Sequence, residues 1–261
     1  MCIGLDADRT LMPDRFKPHP QALYLFNKEI IDATAPYAVA YKPNTAFYEA
    51  EAANGWAQLT QTIRYIQHHY PDIFIIADAK RGDIGHTAQR YAKAFFEELH
   101  VDAVTLAPYM GADSIVPFLQ YKDKWAIVLA LTSNPSAADF ELLTTGSGKM
   151  LYQEVIEQCC RIGTKEQMMF VAGATRPQEL ANLRKLIPDH FLLVPGVGAQ
   201  GGTVAEVAKY GMNAECGLLV NISRNIIYAG TGDGFAQAAQ NKAVGIANEM
   251  SQLLETIINP T

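Results

Sequence analysis

The densest chemistry in the sequence lies in the run Asp78-Ala79-Lys80-Arg81-Gly82-Asp83-Ile84-Gly85-His86-Thr87, where carboxylates stand on both sides of a lysine. Asp78 and Lys80 are two apart, and on an extended strand such residues share a face. In a confined pocket the flanking carboxylates keep the ammonium charged and positioned, and they oppose any further negative charge brought close. An isolated D-x-K could equally be an ion pair closing a strand end. Here the adjoining Asp83, with Asp6 after IGL and Lys42 after AVAY, favours a catalytic cluster.

A second constellation lies late in the chain. The stretch PGVGAQGG, containing Pro195, Gln200 and Gly201, follows one apolar run, and Arg224 follows the next. Glycines let backbone N–H groups approach a phosphate, and an arginine adds a charge-assisted fork. The same stretch matches G-x-G-x-x-G through Gly196, Gly198 and Gly201. Only about 60 residues follow it, too few for the rest of a doubly wound dinucleotide domain, so an NAD site is not expected. Ser133 after LALT completes the polar residues found at the ends of apolar runs. His68 and His69 read as solvated helix-end residues, His86 as packing or capping, and Trp56 and Trp125 as core or interface. No His pair at i, i+4 and no His/carboxylate facial set implies a metal.

Residues so far apart in sequence need a frame that brings them together. Eight short apolar runs, at 2–5, 38–41, 73–77, 103–106, 126–131, 168–172, 191–194 and 218–221, read as strands. Between them helical patterns cover 21–33, 52–69, 87–99, 114–121, 149–161, 177–186, 203–209 and 235–258, with Pro71, Pro177 and Pro188 as punctuation. Strand and helix alternate without a linker, so we expect an α/β fold with one domain over 1–261, a (β/α)8 TIM barrel. In that architecture every polar residue named above lies at one mouth, and the loops after strands seven and eight commonly hold phosphate. Two connections are long, 6–20 and 132–148, and the part of the second at 136–148 is a candidate lid.

Composition excludes other classes. With 261 residues, 49% of them hydrophobic and 18% charged, the chain is neither disordered nor a disulfide scaffold, and four Cys are too dilute to staple it. A net charge of -6 argues against nucleic-acid or anionic-membrane partners, while leaving room for a small anion held by a few placed cations. No apolar stretch reaches the ~18 residues of a spanning helix, and Asp6, Asp8 and Arg9 interrupt any signal-like start, so a cytoplasmic protein with reduced thiols is expected.

The pattern D-x-K-x-x-D-I-x-x-T, present as Asp78, Lys80, Asp83, Ile84 and Thr87, together with PGVGAQGG and a late Ser-Arg pair, strongly resembles the orotidine 5'-phosphate decarboxylase family. LALTSNPSAADF and ADAKRGDIGHTAQRYA resemble its bacterial type 2 branch, and the likeness runs from GLDAD to NISRNII. The resemblance implies cofactor-independent decarboxylation of orotidine 5'-phosphate to uridine 5'-phosphate and CO2, in de novo pyrimidine synthesis. Carried over by motif, Lys80 would donate a proton to C6, Asp78 and Asp83 would hold it and crowd the substrate carboxylate, and Lys42 would complete the charged array. Asp6 would contact ribose, Ser133 the pyrimidine amide edge, and Gln200 with Arg224 the phosphate, beside Pro195 and Gly201. The resemblance also implies a homodimer in which Asp83, Ile84 and Thr87 reach the partner's site. Family members carry a segment ahead of the first strand, whereas this sequence starts almost at it, so a truncated or misassigned N-terminus is expected to touch the barrel floor and not the site.

Three other readings stay open on the residues. A metal-assisted sugar-phosphate decarboxylase or hexulose-phosphate synthase of the same suprafamily would use the carboxylates as magnesium ligands. A silent phosphate-binding barrel would have no need of the Asp78, Lys80 and Asp83 set. A Schiff-base aldolase would need Lys80 neutral, which the carboxylates oppose.

Overall fold

The computed structural model describes residues 1–175, 177–198 and 201–258. Eight parallel strands pair in chain order and close on themselves: β1 (Cys2–Leu5), β2 (Ala40–Pro43), β3 (Phe74–Arg81), β4 (Ala103–Leu106), β5 (Trp125–Leu131), β6 (Met168–Ala172), β7 (Leu192–Pro195) and β8 (Leu218–Ile222). Closure comes from β1 against β8, with Cys2 opposite Asn221. Around the strands lie α1 (Ala22–Thr34), α2 (Thr45–Glu49), α3 (Ala52–His69), α4 (Gly85–Lys93), α5 (Val116–Leu119), α6 (Leu151–Ile162), α7 (Pro177–Leu186), α8 (Val204–Gly211), α9 (Arg224–Ile227) and α10 (Phe235–Ile258). This is the expected (β/α)8 barrel.

Both faces of each strand are buried, which is why the strands read as unbroken apolar runs. One set of side chains, including Cys2, Ala40, Ile76, Ala103, Ile127, Met169, Leu193 and Leu219, fills the barrel interior. The alternate set, including Ile3, Tyr41, Ile75, Val104, Val128, Phe170 and Val220, packs under the helices. Alternation then dictates the layer above the apolar floor. Two residues on from Ala40 is Lys42, from Ile76 is Asp78, from Ala103 is Thr105, and from Leu219 is Asn221, all buried. The barrel is therefore an apolar plug with a polar lid layer at its C-terminal mouth.

The strand boundaries differ from expectation in one consistent way. β2 runs to Pro43 and β3 to Arg81, so Lys42, Asp78 and Lys80 are strand residues and do not follow the strands. Hydrophobicity stops marking a strand where its inward side chains turn polar, although the ladder continues. The helix expected at 114–121 is only the short α5, preceded by a 3-10 turn at Ala112–Ser114. Pro117 lacks an N–H and disfavours helical backbone before it, so a longer helix cannot form there. The helix expected at 87–99 begins as α4 and ends in a π-helical turn at Ala94–Glu98. Two short helices, α2 and α9, were not expected; Asn44 caps α2 by accepting the Ala46 N–H at 3.1 Å.

The long first connection is tied down by Arg9, whose guanidinium pairs with Glu51 and donates to the carbonyls of Lys17 and His19 at 2.9 and 2.7 Å. Phe16, Phe26 and Phe235 pack edge-on or stacked beneath it. The four cysteines are unbridged, with Cys2 and Cys159 buried and Cys160 exposed. Among the described residues no helix is long and apolar enough to cross a membrane.

Candidate active site

At the barrel mouth β2 and β3 bring Lys42, Asp78 and Lys80 into one charge-alternating chain. Lys42 Nζ donates to Asp78 Oδ2 at 2.5 Å and Lys80 Nζ donates to Asp78 Oδ1 at 2.5 Å. Lys42 and Asp78 are 4% and 8% exposed, whereas the Lys80 side chain is 48% exposed. One lysine is thus a fixed buried cation and the other faces the opening. Burial alone would raise the Asp78 pKa, but the two ammonium groups outweigh it and hold the carboxyl well below the usual range. Burial likewise opposes the charged form of Lys42, and the carboxylates of Asp78 and Asp6 overcome it, so its pKa lies above the ordinary lysine value. Lys42 and Asp78 thus each favour the charged form of the other against the cost of burial.

Asp6, just past β1, accepts from Ser223 Oγ at 2.7 Å, while its Oδ1 is buried with no partner among the described residues. The Tyr228 hydroxyl fixes this turn by accepting the Asp8 N–H at 2.6 Å and donating to the Asp6 carbonyl at 3.1 Å. Under the charged chain, Cys2 donates to Asn221 Oδ1 at 3.4 Å, and burial pushes its thiol pKa up to about 12, so it remains a neutral donor. From outside the barrel, Arg81 pairs with Glu49 of α2, donates to the Ala79 carbonyl at 3.2 Å and lies over the rings of Tyr91 and Phe95. The end of β3 is therefore braced on both faces.

Ser133 is half-buried past the end of β5. A Cβ on Gly173 would stand 2.8 Å from the Ser133 nitrogen, so β6 can end beside this loop only with glycine. The loop folds back on its own start, where Glu141 accepts the Thr132 N–H at 2.7 Å. Pro195 ends β7 opposite Asn221 of β8. The following loop carries Gly196, Gly198 and Gly201 at φ of +97°, +77° and +95°, values open to glycine at little cost, and Gly198 N–H donates to the Gly202 carbonyl at 2.8 Å. Gln200 lies outside the described residues. Arg224 opens α9, is exposed, and has no ion-pair partner among the described residues.

The motif's second half is placed differently. Asp83 is half-buried and accepts the Ile84 N–H at 2.8 Å, and no ion pair joins it to Lys80 or Lys42 among the described residues. Ile84 and Thr87 are exposed at the start of α4. Within one chain the carboxylate that reaches Lys80 is Asp78. Among the described residues no three His, Cys, Asp or Glu side chains stand together as a ligand set for a metal.

Thr105, Asn221, Tyr228 and Glu141 belong to the site or its supports and were not singled out from the sequence. Thr105 carried a signal, a lone hydroxyl in the strand AVTL on the inward parity of Ala103. Tyr228 and Glu141 carried none, because their partners lie across the fold or at the far end of a loop.

Fold and site together define a barrel enzyme with a lysine–carboxylate–lysine chain at the C-terminal ends of its strands. Residues 1–239 match the model of the orotidine 5'-phosphate decarboxylase / HUMPS family. A Bacteroides fragilis protein named orotidine 5'-phosphate decarboxylase is 51% identical over 258 residues, spanning 99% of this chain and 94% of its own length. The solved structure of Leishmania donovani OMP decarboxylase superposes with a TM-score of 0.84 at 35% identity, covering 97% of this chain and 92% of that one. Leishmania donovani UMP synthase superposes with a TM-score of 0.86 at 36% identity over 97% of this chain, which spans about half, 53%, of that longer protein. This chain belongs to the orotidine 5'-phosphate decarboxylase / HUMPS family.

Proposed function

We propose that the protein is an enzyme that decarboxylates orotidine 5'-phosphate to uridine 5'-phosphate and CO2 in pyrimidine biosynthesis. The observation that carries the reading is the Lys42–Asp78–Lys80 chain on strand ends of a barrel of this family. Loss of CO2 breaks the C6–carboxylate bond and leaves its electron pair on C6, in an orbital the ring delocalises poorly. A fixed cation nearby and a proton delivered to that carbon are the needs of such a step. Lys80 meets both: its ammonium faces the charge that develops, gives C6 a proton, and regains one from solvent through its exposed side.

Asp78 has two jobs in this reading. It anchors Lys80, and its charge repels the substrate carboxylate in the ground state more than in the transition state. Lys42, buried and paired, keeps Asp78 ionised. Asp6 with its unpartnered Oδ1 contacts the ribose hydroxyls, Ser133 the pyrimidine amide edge, and Arg224 with Gln200, Gly201 and the turn after Pro195 the phosphate. Binding energy from that remote phosphate lowers the barrier at C6 only if it is realised in the transition state, which is why loops seven and eight matter to a reaction they do not touch.

A homodimer completes the proposal, with Asp83, Ile84 and Thr87 serving the partner's site. It is supported by the exposed apolar side chains of the motif's second half and the loop after β4, where Ile84, Tyr109 and Met110 are 51%, 88% and 47% exposed.

The test is ultraviolet monitoring of orotidine 5'-phosphate with purified protein in the presence of chelator. Catalytic loss of the orotate chromophore is expected, and Lys80→Ala is expected to abolish it while uridine 5'-phosphate still binds. A folded wild-type protein without turnover, or Lys80→Ala with near-normal turnover, refutes the assignment.

A further inference from the structure

The two strands that hold the proton donor do not run in register. Ala77 of β3 lies opposite Val104 of β4, whereas Arg81 lies opposite Leu106, so four steps along β3 are matched by two along β4. The surplus falls on 78–81, the stretch that carries Asp78 and Lys80. A bulge of this kind leaves ladder groups unpaired and re-aims the side chains it carries. Lys80 absorbs the distortion with a φ of +46°, the left-handed region that a residue with a Cβ enters only at a steric cost.

Something other than the ladder must then hold Lys80. Its N–H, displaced from the β4 carbonyls, donates to Thr105 Oγ1 at 2.9 Å, and that hydroxyl lies 3.1 Å from Asp78 Oδ1. A carboxylate oxygen only accepts, so the hydroxyl proton points to Asp78 and its lone pairs face Lys80. Lys80 Nζ closes the cycle by donating to the same Asp78 oxygen at 2.5 Å. Backbone and ammonium of one lysine are thus tied to one carboxylate, the first through Thr105 and the second directly. Thr105 is 1% exposed, so no bulk water stands ready to replace its hydroxyl.

We propose that Thr105 is a positioning residue for the decarboxylation. It stabilises the left-handed Lys80 backbone from which the ammonium reaches both Asp78 and C6, and it supplies the third hydrogen bond to Asp78. This rests on the decarboxylase reading above. Thr105 acts through Lys80 and Asp78 and makes no contact with substrate. A side chain of the same shape without the hydroxyl takes this acceptor from the part-buried Lys80 N–H of a left-handed backbone, and the ammonium loses its fixed aim.

The experiment compares Thr105→Val and Thr105→Ser with wild type for kcat, KM, uridine 5'-phosphate affinity and melting temperature. Loss of a hydrogen bond to a charged group corresponds to a roughly 10- to 100-fold fall in kcat for Thr105→Val. KM and product affinity are expected to stay within about threefold, because the phosphate and ribose contacts are untouched. Thr105→Ser, which restores the hydroxyl, is expected to recover most of kcat. Active wild type with an unchanged kcat in Thr105→Val overturns the inference and leaves the decarboxylase reading standing. A fall in kcat that Thr105→Ser does not repair also overturns it, since packing alone then explains the loss. Wild type without turnover overturns both.

Discussion

Asp78 is one charge serving two lysines, and replacing it with Asn keeps the size of the side chain while removing that charge. Lys80 loses little by this in stability, because its half-exposed ammonium can turn to water. Lys42 cannot: it is 4% exposed and Asp78 is its ion-pair partner among the described residues. Removing one member of a buried ion pair costs about 3–5 kcal/mol, since the remaining charge is left in a poor solvent. For a chain of this size each kcal/mol moves the melting midpoint by roughly 2–4 °C, so Asp78→Asn is expected to melt roughly 6–20 °C lower. The cost belongs to the stranded ammonium and not to the lost contact. It follows that Asp78→Asn combined with Lys42→Met, a substitution of similar volume, is more stable than Asp78→Asn alone. Thermal melts of wild type, both single variants and the double variant form the cycle, followed by circular dichroism near neutral pH. An unchanged midpoint for Asp78→Asn, or a double variant less stable than Asp78→Asn, refutes the reasoning.

The same chain fixes a pH dependence. The Asp78 pKa is depressed in the folded state, so its contribution is fully present above the unfolded value of about 3.9 and is lost as pH falls through the lower folded value. The Lys42 pKa is raised, so its contribution is full below the unfolded value of about 10.4 and is lost as pH rises through the folded one. Urea midpoints of wild type minus those of the Asp78→Asn/Lys42→Met double variant, which holds neither group, are therefore expected to stay constant from about pH 8 to about pH 5, and a difference that decays across that window contradicts the assignment. For the proposed dimer, mixing and refolding Lys80→Ala with Asp83→Ala is expected to restore turnover that neither variant has alone, because one site of the mixed dimer regains both residues. Mixtures as inactive as their components, or a fully active monomer in sedimentation, remove the dimer.

Much of this architecture is legible in single residues. The runs at 103–106 and 168–172 coincide with β4 and β6, because a strand buried on both faces is apolar at nearly every position, Thr105 being the exception in β4. The run at 73–77 is where reading by hydrophobicity stops short, since β3 continues through the polar residues that make the site. Asp78 and Lys80 were legible as a pair because their contact is local, two residues along one strand. Lys42 with Asp78 spans 36 residues, and their meeting follows from β2 lying beside β3, which no local pattern specifies. A 3-10 turn and a short helix at 112–119 stand where one helix is expected over 114–121, because Pro117 interrupts the backbone hydrogen bonding that amphipathic spacing alone does not report.

The sequence by itself determined the order of strand and helix and the residue types available at each strand end, because burial and charge impose periodicities that neighbours along the chain reveal. It also placed the chain in its family, through a combination of motifs and not through any one of them. Only the tertiary structure decided that Asp78 is shared by two lysines of unequal exposure, that Asp83 stands apart from Lys80 within one chain, and that Thr105 takes the N–H of a left-handed Lys80. Those facts depend on how β3 pairs with β2 and β4. Register between strands is set by closure of the whole barrel, so no segment of the chain carries it alone.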